Sequence, residues 1–304
     1  MPFKILDEDY IYLTSLSNHE DQPLPIFRKK AVSLPLSDHT SSGNLHAFVR
    51  GYVLVAFTLA CSLTEAQTGP TIAAASDLKF ALDEIATTFQ KQAGKSVRIT
   101  YGSSGNFYQQ IAQNAPFEIF MSADEDFIFK LADKNLTADR GALYATGRIV
   151  LFSPKNSTLK VDDQMADLRQ ALKDGRLRKF AIANPEHAPY GRAAMEALKR
   201  ADIWSQIEPK LVLGENVSQA AQFALSGSTE GGIFAYSLAL SPAFSNAGSY
   251  VLIPDSLHAP LRQRMVLTKK ASDAAREFYA YMQSTTARDA FKRYGFVLPT
   301  ELAK

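Results

Sequence analysis

Four short segments of this chain combine hydroxyls, small residues and the start of a helix, a set that can hold an anion without a cation. The first is Ala75-Ser76-Asp77, where the apolar run Thr71–Ala75 (TIAAA) passes into a helical pattern. Ser76 falls at the N-cap position, its hydroxyl and the following N–H groups directed past the strand end. The second is Tyr101-Gly102-Ser103-Ser104-Gly105-Asn106, whose small residues let backbone approach a ligand closely ahead of another helix. It lacks the glycine spacing of a dinucleotide fingerprint and the Lys of a P-loop. The third, Pro185-Glu186-His187-Ala188-Pro189-Tyr190-Gly191, follows the apolar run FAIAN and opens a helix, with Pro189 suited to its first turn. The fourth is Gly214-Glu215-Asn216-Val217-Ser218, where Asn216 or Ser218 can cap the helical stretch SQAAQFALS.

Taken singly, these are a helix cap, a tight turn, a rigid loop and a second cap, and His187 alone reads as a surface histidine. Together they describe a cleft lined by helix N-termini and hydroxyls, with no Lys or Arg at the junctions. The first N–H groups of a helix have no intrahelical partner, and the helix dipole favours negative charge there. Fixed neutral donors can hold a dehydrated dianion without a salt bridge, and their spacing makes the cavity sensitive to anion size.

The elements that must position these junctions alternate along the chain. After TIAAA, residues Leu78, Ala81, Leu82, Ile85 and Phe89 recur at helical spacing until Gly94. Val97–Tyr101 and Phe117–Met121 read as strands, and 106–113 and 124–134 as helices. Ile149–Phe152, Phe180–Ala183, Leu211–Leu213, Gly232–Ala235 and Tyr250–Ile253 read as buried strands, with helices at 192–200 and 218–225. Two helical stretches, 272–284 and 287–294, close the chain. Such alternation predicts an α/β protein with parallel sheets covered on both faces. Its 304 residues suggest two sheets with a cleft between them. Ligands then sit at the carboxyl ends of the strands.

Composition narrows the function further. The net charge of +2, with acids and bases interspersed, gives no footprint for nucleic acid or an anionic membrane. One cysteine, Cys61, excludes an internal disulfide, and five scattered histidines lack metal-ligand spacing, so neither a metal nor an organic cofactor is expected. Residues 1–66 are of another kind. The stretch 1–46 carries Pro23, Pro25, Pro35 and no sustained period, and reads as unstructured. After Arg50 comes an apolar run at 52–63, short of the ~20 residues that span a bilayer. It matches the h-region of a secretory signal peptide with small residues before a cleavage point at Ala66. Signal peptides run about 15–30 residues, so the translation start is expected near Leu45 or Val49 and Cys61 within the discarded signal, with lipid attachment at Cys61 after Leu59-Ala60 as the alternative.

At the same residues the chain resembles the molybdate-binding proteins, the periplasmic components of molybdate ABC transporters. The resemblance runs from about Thr71 to the C-terminus. It rests on Ala73-Ala74-Ala75-Ser76-Asp77-Leu78, the phrase SSGNFYQQI and Glu118-Ile119-Phe120-Met121-Ser122-Ala123-Asp124. It also rests on 184–191 (NPEHAPYG) and the terminal Phe291-Lys292-Arg293-Tyr294-Gly295-Phe296. The resemblance implies a two-lobed periplasmic binding protein type II fold that closes on a tetrahedral oxyanion, molybdate or tungstate. It implies a monomer that works with a membrane permease and an ATPase. It places the serine ligands at Ser76 and Ser104, through hydroxyl and N–H, and backbone donors at Tyr190 and Val217. Asp77 lends its N–H in some members, and must then turn its carboxylate from the anion. A tyrosine hydroxyl used by some members falls on Ala235, with Tyr236 one place along. The domain map that follows is 70–150 and 239–304 for lobe I and 151–238 for lobe II.

Three rivals remain at this level. A secreted serine hydrolase needs a Ser tied to a His and an acid, and GSSG is not a nucleophile elbow. A transcription regulator would place a DNA-binding unit in 1–66, which lacks a three-helix pattern and a basic recognition helix. Sulfate or another small anion could occupy the same fold. Within the site, Ser103 is expected to face elsewhere than Ser104.

Overall fold

The computed structural model describes residues 69–244 and 246–299. The expected signal segment, with its apolar run at 52–63, lies outside the described residues. The described chain begins with β1 (Thr71–Ala75), a 3-10 turn (Ser76–Leu78), α1 (Lys79–Ala93), β2 (Arg98–Gly102) and α2 (Ser104–Ala112). It continues with β3 (Ile119–Ser122), α3 (Glu125–Asp133), β4 (Ala142–Gly147), β5 (Ile149–Pro154), α4 (Ala166–Lys173) and β6 (Phe180–Ala183). Then come α5 (Pro189–Arg200), α6 (Trp204–Ile207), β7 (Leu211–Gly214), α7 (Val217–Leu225), β8 (Gly231–Ala235) and α8 (Tyr236–Ala239). The last elements are β9 (Gly248–Leu252), β10 (Leu261–Leu267), α9 (Asp273–Tyr281) and α10 (Thr285–Arg293).

The strands form two five-stranded sheets, ordered β2-β1-β3-β10-β4 and β7-β6-β8-β5-β9. Each defines one lobe of an α/β architecture. The sheets are mixed rather than parallel throughout. In lobe I, β1 runs parallel to β2 and β3, while β10 lies antiparallel to both β3 and β4. In lobe II, β6 is parallel to β7 and β8, while β5 is antiparallel to β8 and β9. The antiparallel strands β5 and β10 are those that enter a sheet directly after the chain changes lobe, so no helical crossover turns them round.

That topology corrects the domain boundaries. Only Arg148 separates β4 from β5, so the chain passes from one sheet to the other there. The return does not occur near 239. The chain stays in lobe II to add β9, which pairs with β5 from Val150↔Leu252 to Pro154↔Gly248, and crosses between 253 and 260. β5 is buried along its whole length, so β9 is needed to satisfy the edge that β8 leaves open. The short helix α8 after Ala235 marks a turn within lobe II, not a hinge.

The helices follow from their sequence. Ala81, Leu82, Ile85 and Phe89 form the buried stripe of α1, and Gly94, at φ 68°, returns its N–H to Gln90 O and ends the helix. Phe89 meets Phe278 of α9 edge to face at 5.0 Å, which docks the C-terminal helices onto lobe I as the sequence suggests. Phe107, Ile111, Phe120 and Ile128 fill the other side of that sheet. In lobe II, Phe152, Phe234 and Phe244 cluster with centroids 5.3–5.8 Å apart. Among the described residues no helix is long and apolar enough to cross a membrane.

Phe152 is fully buried at the centre of the lobe II cluster. Phe152→Ala should therefore destabilise the protein by about 3–5 kcal/mol in chemical denaturation, through lost burial and a residual cavity. A cost under about 1 kcal/mol would contradict this packing.

Candidate anion-binding site

The parallel strands of both sheets deliver their carboxyl-terminal junctions to one interlobe cavity. Its lining comes from the ends of β1 (Ala75, Ser76, Asp77), β2 (Gly102, Ser103, Ser104) and β3 (Ala123) in lobe I. Lobe II contributes the start of α5 (Ala188, Pro189, Tyr190) and the start of α7 (Val217). All five residues singled out from the sequence, Ser76, Asp77, Ser104, Tyr190 and Val217, thus meet at one place. The space is small, about 10 Å³ open to the centre of a water-sized sphere, far below the roughly 300–1,000 Å³ typical of organic-ligand pockets. No Lys, Arg or His is among the lining residues. Among the described residues no cluster of three or more His, Cys, Asp or Glu is placed to hold a metal.

Local structure explains how each donor is aimed. Ser76 does not cap a helix as the sequence suggested. It opens the 3-10 turn ahead of α1, and the tight turn frees its hydroxyl to cross the cleft. Ser76 Oγ donates to Asn216 Oδ1 at 3.0 Å and accepts from Ser218 N at 3.2 Å, while Ser218 Oγ donates to Ser76 O at 2.8 Å. Asn216 is the cap of α7, its Oδ1 accepting from Gln219 N, which leaves Val217 in the first helical position with no intrahelical acceptor for its N–H. Tyr190 holds the second position of α5, behind Pro189. Ser104 is the first residue of α2, and its Oγ accepts from Ala123 N at 2.9 Å, which leaves its own O–H to donate.

Ser103 departs from expectation. It lines the same cavity, caps α2 by accepting from Asn106 N, and sits 3.0 Å from His187 Nδ1 across the cleft. Beside it, Gly105 N donates to His187 O at 2.9 Å, and a Cβ at Gly105 would lie 2.5 Å from that oxygen. Only glycine allows this approach between the lobes. Tyr236 is not a lining residue: its ring lies under the Arg148 guanidinium at 4.8 Å and beside Tyr250.

Asp77 carries the one carboxylate of the lining. Its carboxylate is turned onto Tyr190 OH, which donates to Oδ2 at 2.9 Å, and Gln263 Nε2, which donates at 2.6 Å. Burial pushes this carboxyl from 3.8 up to about 6, against the two hydrogen bonds that lower it. Burial, reinforced by the Asp77 charge, in turn holds the Tyr190 and Tyr144 phenols well above their usual value. Tyr144 OH donates to Gln263 Oε1 at 2.8 Å and completes a buried chain of polar groups. Sequence reasoning missed Gln263. Its signal was a polar residue on the buried phase of the alternating strand LRQRMVL, between the outward-facing Arg262 and Arg264.

Fold and site together define a solute-binding protein. Residues 70–297 match the family of bacterial extracellular solute-binding proteins, and the chain belongs to that family. It is 35% identical over 243 residues to the molybdate-binding protein ModA of Azotobacter vinelandii, covering 79% of this chain and 93% of that protein. To the ModA of Rhodobacter capsulatus it is 35% identical over 217 residues, covering 70% of this chain and 82% of that protein. The solved structure of the Azotobacter vinelandii periplasmic molybdate-binding protein superposes with a TM-score of 0.70 at 31% identity, covering 76% of this chain and 99% of that one.

The Ser103 cap generates a direct expectation. Ser103→Ala should lower stability by about 1 kcal/mol in denaturation of the ligand-free protein, since an N-cap and a cross-cleft contact are both lost. An unchanged midpoint would show that Ser103 neither caps α2 nor clasps His187.

Proposed function

We propose that this chain is the periplasmic substrate-binding component of an ABC importer for molybdate, binding tungstate as well. The observation that carries this reading is the cavity itself, five sequence-selected residues converging on a space free of Lys, Arg and His. In the proposed complex Ser76 and Ser104 donate hydroxyl and N–H, the Ser76 hydroxyl turning from Asn216 Oδ1 to the anion, and Asp77, Tyr190 and Val217 donate N–H. These donors match a ligand with four bare oxygens and no proton of its own. The kinship with molybdate-binding proteins supports molybdate as that ligand. The chain then acts as a monomer, handing the anion to a permease driven by an ATPase, after export by the signal segment read from the sequence.

No catalytic step is assigned. Ser103, His187 and Glu215 stand in line, with Glu215 Oε2 3.6 Å from His187 Nε2, and invite a hydrolase reading. Ser103 Oγ is engaged in capping α2, Glu215 is 71% exposed, and the cavity leaves no room for an acyl substrate. The trio is better read as a clasp between lobes.

Ser104→Ala tests the reading. It removes one charge-assisted donor and leaves the helix start in place, so molybdate affinity by calorimetry should fall about ten- to a hundredfold. Wild type should bind molybdate and tungstate, with affinity unaffected by chelators. Equal affinity in Ser104→Ala, or binding restored only by a divalent metal, would overturn the site.

A further inference from the structure

We propose that closure of this cleft on its dianion takes up one proton from solvent, carried by the Asp77 carboxyl, so that the cargo is captured as anion plus proton. The proposal rests on the molybdate reading above and adds a role for a side chain that the site does not otherwise use. Asp77 lines the cavity and is buried. Its Oδ2 is matched by Tyr190 OH and Gln263 Nε2, whereas Oδ1 is buried with no hydrogen-bond partner among the described residues. An ionised carboxylate in that position leaves a charged oxygen neither hydrated nor paired, at a cost the neutral acid avoids.

The groups that face Asp77 offer no other neutralisation. Tyr190 of α5 reaches it directly, Tyr144 of β4 through Gln263 of β10, and Ser237 of α8 donates to its backbone carbonyl at 2.8 Å. All are neutral, and no cation lines the cavity. Two of the contacts, Tyr190 and Ser237, belong to lobe II, so they leave when the lobes part and water reaches the carboxyl. Closure therefore moves Asp77 from water to the buried setting that lifts it to about 6, and a dianion alongside lifts it further. A carboxyl raised by closure favours the closed state at low pH, and that contribution is lost as pH rises through the closed-state value. Affinity should climb as pH falls, by up to about tenfold per pH unit between the open and closed values. The proton adds to Oδ1 and no bond of the anion changes, so the closed site gains one negative charge rather than two.

Calorimetry of molybdate binding to the full chain, in buffers of differing ionisation enthalpy, counts the proton. Wild type should take up most of one proton near pH 5, and its affinity should rise about tenfold from pH 7.5 to 5. Asp77→Asn, neutral and of the same size, should take up none and bind with an affinity flat in pH. If that variant fails to fold, the wild-type count decides alone. Molybdate binding without proton uptake would overturn the proposal and leave the function standing, whereas no molybdate binding would overturn both. Uptake that survives in Asp77→Asn but disappears in His187→Gln would assign the proton to His187 and also overturn it. So would a preference for phosphate without uptake, since the carboxylate would then be accepting the ligand's own proton.

Discussion

An oxyanion that leaves water must find each of its oxygens met by a donor already in place, and the architecture of this protein follows from that demand. Helix N-termini supply such donors without side-chain cations, because the fold fixes their direction and nothing need reorganise when the ion arrives. Building the cavity from the carboxyl ends of parallel strands brings several helix starts to one point. Placing β1, β2 and β3 in one lobe and β6 and β7 in the other lets the lobes close on the ion from two sides.

The contacts that tie the lobes together are drawn from the same residues. Ser76 reaches Asn216 and Ser218, Gly105 and Ser103 reach His187, and Asp77 reaches Tyr190. A further pair at the rim, Arg192 with Asp124, joins α5 to the cap of α3. Ser76, Asp77, Ser103 and Tyr190 thus both line the cavity and join the two lobes. The buried Asp77 is the exception to a site of neutral donors, and its position between the lobes makes its charge state part of closure.

Much of this was legible in the sequence where local chemistry dominates. TIAAA, the α1 stripe ending at Gly94, and Pro189 opening α5 announce themselves through burial, periodicity and backbone constraint. The four junctions were visible for the same reason. What was hidden depends on partners distant in sequence. β4 and β10 were missed because ALYATG and LRQRMVL read as strands only beside each other. The lobe boundary was misplaced because β9 belongs with β5, about a hundred residues earlier. Ser76 was misread as a cap because a 3-10 turn intervenes before α1, and Ser103 because its second partner, His187, comes from the other lobe.

The central claim is that a single oxyanion sits among uncharged donors between the lobes. Anomalous diffraction at the molybdenum edge, from crystals grown with molybdate, tests it most directly. One strong peak is expected inside the cavity, with hydrogen-bonding distance from its oxygens to Ser76 and Ser104 hydroxyls and to the Tyr190 and Val217 N–H groups. A peak instead beside the Arg192–Asp124 pair at the rim, or one accompanied by a bound cation, would rule this out.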